Sequence, residues 1–182
     1  MIRSVNPVRL LILIPGMLSS MLLSSCGSAP EPSRATHHLN MMDDSLIRYN
    51  KSVVNQENQQ IEDFIARYRW EMKKTSTGLR YMISKQGNGA APSKDSRVVI
   101  LYTVRLLNGN LCYSTGHDHP REFRIGHSSA ESGLEEGILL MREGAQAKFI
   151  VPSHLAFGLL GDQDKIPQRA TLIYDVELIK VK

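Results

Sequence analysis

The sequence predicts an α+β fold: an antiparallel half-barrel sheet wrapped on one short helix, with an N-terminal helical extension. Three observations carry that prediction. From Leu79 onward, apolar and polar residues alternate in short runs punctuated by Gly, Asn and Pro, the period of half-buried strands. One segment, Ser132 to Arg142, breaks the alternation. Its Leu134, Ile138 and Met141 recur at i, i+4 and i+7 and so line one face of a helix. Ahead of the strands, Ile47, Val54, Ile61, Ile65 and Tyr68 fall at helical spacing among Gln, Glu, Asn and Arg.

In chain order, residues 1–25 read as a lipoprotein signal peptide. Arg3 and Arg9 form a positive start, and Leu10 to Leu23 is an apolar run broken by Pro15, Gly16 and two serines. That run is too short and interrupted to span a bilayer well. It ends in Leu23-Ser24-Ser25-Cys26, which resembles a bacterial lipobox and makes Cys26 the expected lipidation site. Acyl chains there would anchor the protein to membrane at about 0.8 kcal/mol per buried methylene. The expected location is the cell envelope, on the outer membrane facing the periplasm.

Residues 26–42 carry Ser, Pro, Ala and the pair His37-His38 and read as a flexible tether. Residues 43–69 form the helical extension, with Asp43 or Asp44 as its cap. It is one long helix, or two with a break near Asn55 to Asn58. Asn50 and Glu57 interrupt its apolar stripe, so the stripe is expected to pack on its own domain; a dimer through this helix is the alternative.

Residues 70–182 form the main domain, with its core in 79–182. Trp70 to Met72 and Leu79 to Ile83 suggest a hairpin around Thr75 to Gly78. Arg97 to Leu107 is a long β-branched strand, turned by Asn108-Gly109 into Leu111 to Ser114. Glu122 to Ile125, Ala147 to Val151 and the last strand around Leu172 to Leu178 bring the total to about six. Ser132 is the expected N-cap of the short helix, with Glu135 completing a capping box and Glu135 and Glu136 favoured by the helix dipole. About three turns do not hold alone, so the sheet must cover the apolar face.

Composition narrows the chemistry. Formal net charge is +4, and loss of Arg3 and Arg9 lowers it to +2, with no basic block longer than Lys73-Lys74. Nucleic-acid binding has no electrostatic support. Of the two cysteines, acylation of Cys26 leaves Cys112 without an intramolecular partner, so no disulfide framework is expected. His37-His38 and His117-Asp118-His119 lack further ligands in suitable spacing, and no metal or other cofactor is expected. Gly158 and Gly161 mark a tight loop without the lysine of a phosphate cradle.

Several motifs occur together in order. Val99-Ile100-Leu101-Tyr102-Thr103 with Asn108-Gly109, Gly133-Leu134-Glu135-Glu136-Gly137, Met141-Arg142-Glu143-Gly144 before Ala147-Lys148, and Ile166-Pro167 before Ala170 to Leu178 resemble the FKBP-type peptidyl-prolyl isomerases. With the lipobox, the helical extension and Pro152 to Gly158, the chain resembles the lipoprotein branch that includes gliding-motility-associated isomerases. The resemblance implies a pocket for a proline ring. It assigns Tyr102, Phe123, Leu134, Phe157, Ile166 and Tyr174 to the catalytic walls and floor, and Cys112, Tyr113, Ala130 and Glu131 to substrate binding. Leu134 replaces a common Trp, and Phe157 a Tyr whose hydroxyl meets ligand. Cys112-Tyr113 stand for Phe-Asp, Arg121 for Phe, and Ala130-Glu131 for Val-Ile. The backbone N–H of Glu131 keeps its capacity to donate. The implied function is prolyl isomerisation in the folding of cell-envelope proteins, with proline-containing polypeptides as partners and weakened activity. The alternative is a non-catalytic chaperone or scaffold of an outer-membrane or motility complex. On the resemblance alone, Cys112→Phe with Tyr113→Asp is expected to raise turnover.

Overall fold

The computed structural model describes the backbone of residues 34–182 and the side chains of residues 44–182. The predicted signal peptide, Cys26 and the first part of the tether lie outside the described residues. Among the described residues, no helix is long and apolar enough to cross a membrane.

The first element, α1, spans Arg34–Tyr68 without interruption. Helix therefore starts well before Asp43, inside the stretch expected to be tether, and the alternative of a break near Asn55 to Asn58 is not realised. Gln, Glu, Lys and Arg fill its later turns, and such residues lose little rotamer freedom in a helix. Its end is a Schellman motif. Arg69 takes φ 55°, the Trp70 N–H donates to Ile65 O at 3.1 Å and the Arg69 N–H to Ala66 O at 3.2 Å. Trp70 is consequently not a strand residue. It packs on Phe64 and Tyr68 at ring separations of 5.5 and 5.2 Å, while the Lys148 ammonium lies over its ring. The expected first strand moves to β1, Lys73–Lys74.

The remaining strands are β2 (Arg80–Lys85), β3 (Arg97–Leu106), β4 (Leu111–Ser114), β5 (Arg121–Arg124), β6 (Gln146–Val151) and β7 (Leu172–Val181). They form one seven-stranded sheet in the order β1-β2-β6-β7-β3-β4, with β5 also paired to β3. Every pairing is antiparallel. The short helix α2 is Ser132–Leu139, ending before the predicted Arg142.

The predicted capping box does not form. Glu131 is the N-cap, with no side-chain capping hydrogen bond. The Ser132 hydroxyl donates instead to Leu155 O at 3.3 Å, and the Glu135 carboxylate accepts from the Gly126 N–H and the Ser128 hydroxyl. Both side chains thus tie the helix start to neighbouring loops.

Strand alternation divides the molecule into two layers of packing. Phe149, Val151, Leu172, Tyr174 and Val176 face α2 and enclose Leu134 and Ile138. Helix and sheet approach closely because Gly133 and Gly137 have no side chains. A Cβ at Gly137 would stand 2.6 Å from the Phe149 ring, and one at Gly133 2.4 Å from Val151 Cγ1. The opposite face presents Ile150 and Ile173 to Ile61, Phe64 and Ile65 of α1. The helix therefore packs on its own domain through its later turns. Its earlier apolar residues Leu46, Ile47 and Val54 are exposed.

Polar groups fix that docking. The Glu57 carboxylate accepts from the Ser153 N–H (2.7 Å), the Ser153 hydroxyl (3.0 Å) and the Thr171 hydroxyl (2.7 Å). Arg80 is 1% exposed and donates to Glu62 (2.6 Å), Asn58 Oδ1 (3.0 Å) and Gly78 O (2.6 Å). A buried charge needs such partners.

Candidate active site

The site begins at an irregularity in β3. The first half of this strand pairs with β5, Arg97 to Ile100 against Arg124 to Arg121. Its second half pairs with β4, Thr103 to Arg105 against Ser114 to Leu111. Tyr102 lies at the change of partner. Thr115 completes its backbone bonding, donating its N–H to Tyr102 O (2.9 Å) while its hydroxyl accepts the Tyr102 N–H (2.9 Å). The ring of Tyr102 then faces Tyr174 of β7 at 6.1 Å.

Phe123, Leu134, Ile166, Tyr174 and Cys112 are buried in the same cluster, and Tyr102, Tyr113, Ala130 and Phe157 pack against it. The structure thus brings the apolar candidates together. Their surroundings also hold groups whose placement sequence reasoning missed. The Arg121 guanidinium sits 5.6 Å from the Tyr102 ring centre and 5.4 Å from that of Phe123. It reaches Glu131 at 3.8 Å. The Glu131 side chain is only 9% exposed, and its Oε2 has no hydrogen-bond partner. Burial, followed by the neighbouring Glu131 charge, pushes the Tyr174 phenol far above its ordinary pKa. It stays protonated and remains a donor.

A second polar group lies at the other rim. The Tyr113 hydroxyl donates to Asp162, with Asp164 at 3.3 Å, and the Lys165 ammonium lies 5.0 Å from the Tyr113 ring centre. Asp162 Oδ1 also accepts the N–H groups of Asp164 (3.0 Å) and Ile166 (2.7 Å), which sets the loop that delivers Ile166. Burial pushes the Asp162 carboxyl up, but these hydrogen bonds outweigh it and hold the pKa below its ordinary value. The Tyr113 phenol is correspondingly raised, chiefly by its bond to Asp162. Gly161 takes φ 69°, and a Cβ there would stand 2.2 Å from Ile166 O. The readable signal was Gly161-Asp162 before an apolar residue, a turn pattern in which an Asp side chain bonds backbone two residues on.

Cys112 is 3% exposed. Burial, then the nearby Asp162 charge, raises its thiol pKa, so it is a packing residue and not a ready nucleophile. Among the described residues, no group of three or more His, Cys, Asp or Glu is arranged to hold a metal ion.

This arrangement, an aromatic-rich apolar cluster between the sheet and α2, coincides with a family match. Residues 88–179 match the FKBP-type peptidyl-prolyl cis-trans isomerases. The chain belongs to that family.

The chain is 40% identical over 111 residues to a probable FKBP-type peptidyl-prolyl cis-trans isomerase FkpA of Neisseria meningitidis, covering 60% of this chain and 40% of that one. It therefore spans less than half of that relative's length. The crystal structure of FkpA from Escherichia coli superposes with a TM-score of 0.62 at 27% identity, covering 81% of this chain and 69% of that chain. An isomerase structure from Pseudomonas syringae pv. tomato gives 0.63 at 26%, covering 72% and 95%.

Proposed function

We propose that this FKBP-family protein is a peptidyl-prolyl cis-trans isomerase of weak activity that assists folding of cell-envelope polypeptides. The observation that carries this reading is the convergence of Tyr102, Phe123, Leu134, Phe157, Ile166 and Tyr174 on one buried apolar cluster.

Rotation about an X-Pro bond faces a barrier of about 18–20 kcal/mol because amide resonance must be lost. The twisted imide has lost conjugation, and its carbonyl is less well served by water. An apolar wall that holds the proline ring and excludes water favours the twisted form over either planar form. No nucleophile is required. Tyr102 and Phe123 supply the wall, and Leu134 supplies the floor. The backbone N–H of Glu131 orients the carbonyl. Activity is weakened because Arg121 lies over the two aromatic rings and the hydroxyl expected at Phe157 is gone.

The supporting experiment follows cis-to-trans relaxation of an Ala-Pro peptide. Acceleration that saturates with peptide supports the reading; a rate equal to the uncatalysed one opposes it. The second reading, a non-catalytic chaperone or scaffold of an outer-membrane or motility complex, draws on one observation. The Arg121 side chain is 25% exposed and lies where a proline ring would stack.

Attachment to the membrane through lipid on Cys26 belongs to the same proposal, supported by the sequence pattern at residues 23–26. Cys26→Ser is expected to release the protein from the membrane fraction and to abolish uptake of labelled palmitate. Exposed Leu46, Ile47 and Val54 support the proposal of a dimer through α1, which sedimentation of a triple serine variant would test.

A further inference from the structure

The Arg121–Glu131 pair is unlike the rest of the pocket. The cluster is made of apolar side chains apart from the phenols of Tyr81, Tyr102, Tyr113 and Tyr174 and the Cys112 thiol, yet a carboxylate projects into it with its side chain nine-tenths buried. Glu131 begins α2, where its carbonyl accepts the N–H groups of Leu134 and Glu135. The side chain is therefore not used for capping. Its Oε2 stands 3.8 Å from Arg121 Nη1 but makes no hydrogen bond. A buried carboxylate oxygen left in that condition is a strong acceptor awaiting a donor.

Arg121 is the weaker half of this pair. It opens β5 at the mouth of the loop after β4, its side chain is a quarter exposed, and its guanidinium rests on Tyr102 and Phe123. A proline ring stacking on those aromatics must displace it. Displacement removes the charge nearest to Glu131. A substrate that brings its own cation restores the pairing; one that brings none leaves Glu131 with the Tyr174 phenol as a neighbouring donor but without a counter-charge. A substrate that brings a carboxylate adds repulsion.

We infer that Glu131 is a specificity-determining residue that selects prolyl segments carrying a lysine or arginine next to the proline, the substrate cation taking the place of Arg121. This rests on the isomerase reading of the same pocket and names its substrate class. The lysine ammonium or arginine guanidinium donates to Glu131 Oε2, while the proline ring occupies the surface that Arg121 vacates.

The test compares peptides that differ only beside the proline, Lys-Pro, Pro-Lys, Leu-Pro and Glu-Pro, on the full-length protein. Two readouts are taken for each, the isomerisation rate constant kcat/KM and the equilibrium affinity from competition with a fluorescent prolyl peptide. At least one lysine peptide is expected to exceed Leu-Pro on the order of tenfold, the scale of one charge-assisted hydrogen bond. Glu-Pro is expected to be poorest. Glu131→Gln keeps the shape and removes the charge, and it should bring the Lys/Leu ratio close to one. A wild-type Lys/Leu ratio that falls between 50 and 500 mM salt would provide support independent of any variant's folding.

Equal lysine and leucine peptides in the wild type, or a ratio unchanged in Glu131→Gln, would overturn the inference while leaving the isomerase reading intact. Selective binding of lysine peptides without acceleration would support the inference and overturn the isomerase reading. Absence of both binding and acceleration would overturn both.

Discussion

Tyr113 shows how one residue alters what the pocket rim can do. The family pattern suggested that an aspartate in its place would restore an acceptor. In the structure its hydroxyl instead bonds Asp162, which organises the backbone leading to Ile166. An aspartate at 113 would meet Asp162 and Asp164 as a third like charge. Tyr113→Asp is therefore expected to loosen the 158–169 loop and lower activity, observable as increased amide exchange at Ile166. The depressed pKa of Asp162 has a definite pH consequence. Its contribution to folding is fully present above the ordinary carboxyl value of 3.8 and is lost as pH falls through the lower folded value. Tyr113→Phe should flatten the stability profile in that acid window, as read by denaturant titration at successive pH values. Cys112 reverses another expectation. At 3% exposure it has close neighbours, so Cys112→Phe should overpack the core and cost about 1–3 kcal/mol, measured as a lower denaturant midpoint.

At the scale of elements, the strands were the most legible part. Tyr174, Val176 and Leu178 alternate with Asp175 and Glu177, and the pleat alone assigns them to opposite faces. The long β3 and the turn at Asn108-Gly109 were readable for the same reason. Helix α1 was less legible at both ends. Its C-terminus is closed by Arg69 at positive φ, where glycine is the usual signal. Glu57 looked like an interruption of an apolar stripe; it is the residue that binds Ser153 and Thr171 across the interface. Such a role depends on what lies opposite, which a one-dimensional pattern does not contain. Likewise, the apolar walls of the candidate site followed from motif positions, whereas the Arg121–Glu131 contact joins β5 to the start of α2 and needed the fold. Glu57→Ala leaves the largely buried Ser153 and Thr171 donors without their partner, which should destabilise by about 2 kcal/mol. Gly137→Ala forces a methyl into the Phe149 ring at 2.6 Å and should cost about 1–3 kcal/mol. Chemical denaturation tests both.

For the molecule as a whole, α1 and the FKBP domain share an interface although each has its own hydrogen-bonded framework. Removal of residues 40–68 uncovers Ile150, Ile173 and the Arg80 guanidinium, but leaves α2 and its side of the sheet intact. The remaining domain is expected to unfold cooperatively at a lower denaturant concentration than the full chain; loss of cooperativity would show that the stem is part of the folding unit. If the aromatic cluster is an isomerase site, Tyr102 is the residue whose loss reads it most directly. Exchange NMR on an Ala-Pro peptide measures the cis–trans rate at equilibrium, with no auxiliary protease. The predicted result is a rate above the uncatalysed one with wild-type protein and at the uncatalysed level with folded Tyr102→Ala. Equal rates with wild-type protein and without protein, or undiminished catalysis by Tyr102→Ala, would contradict it.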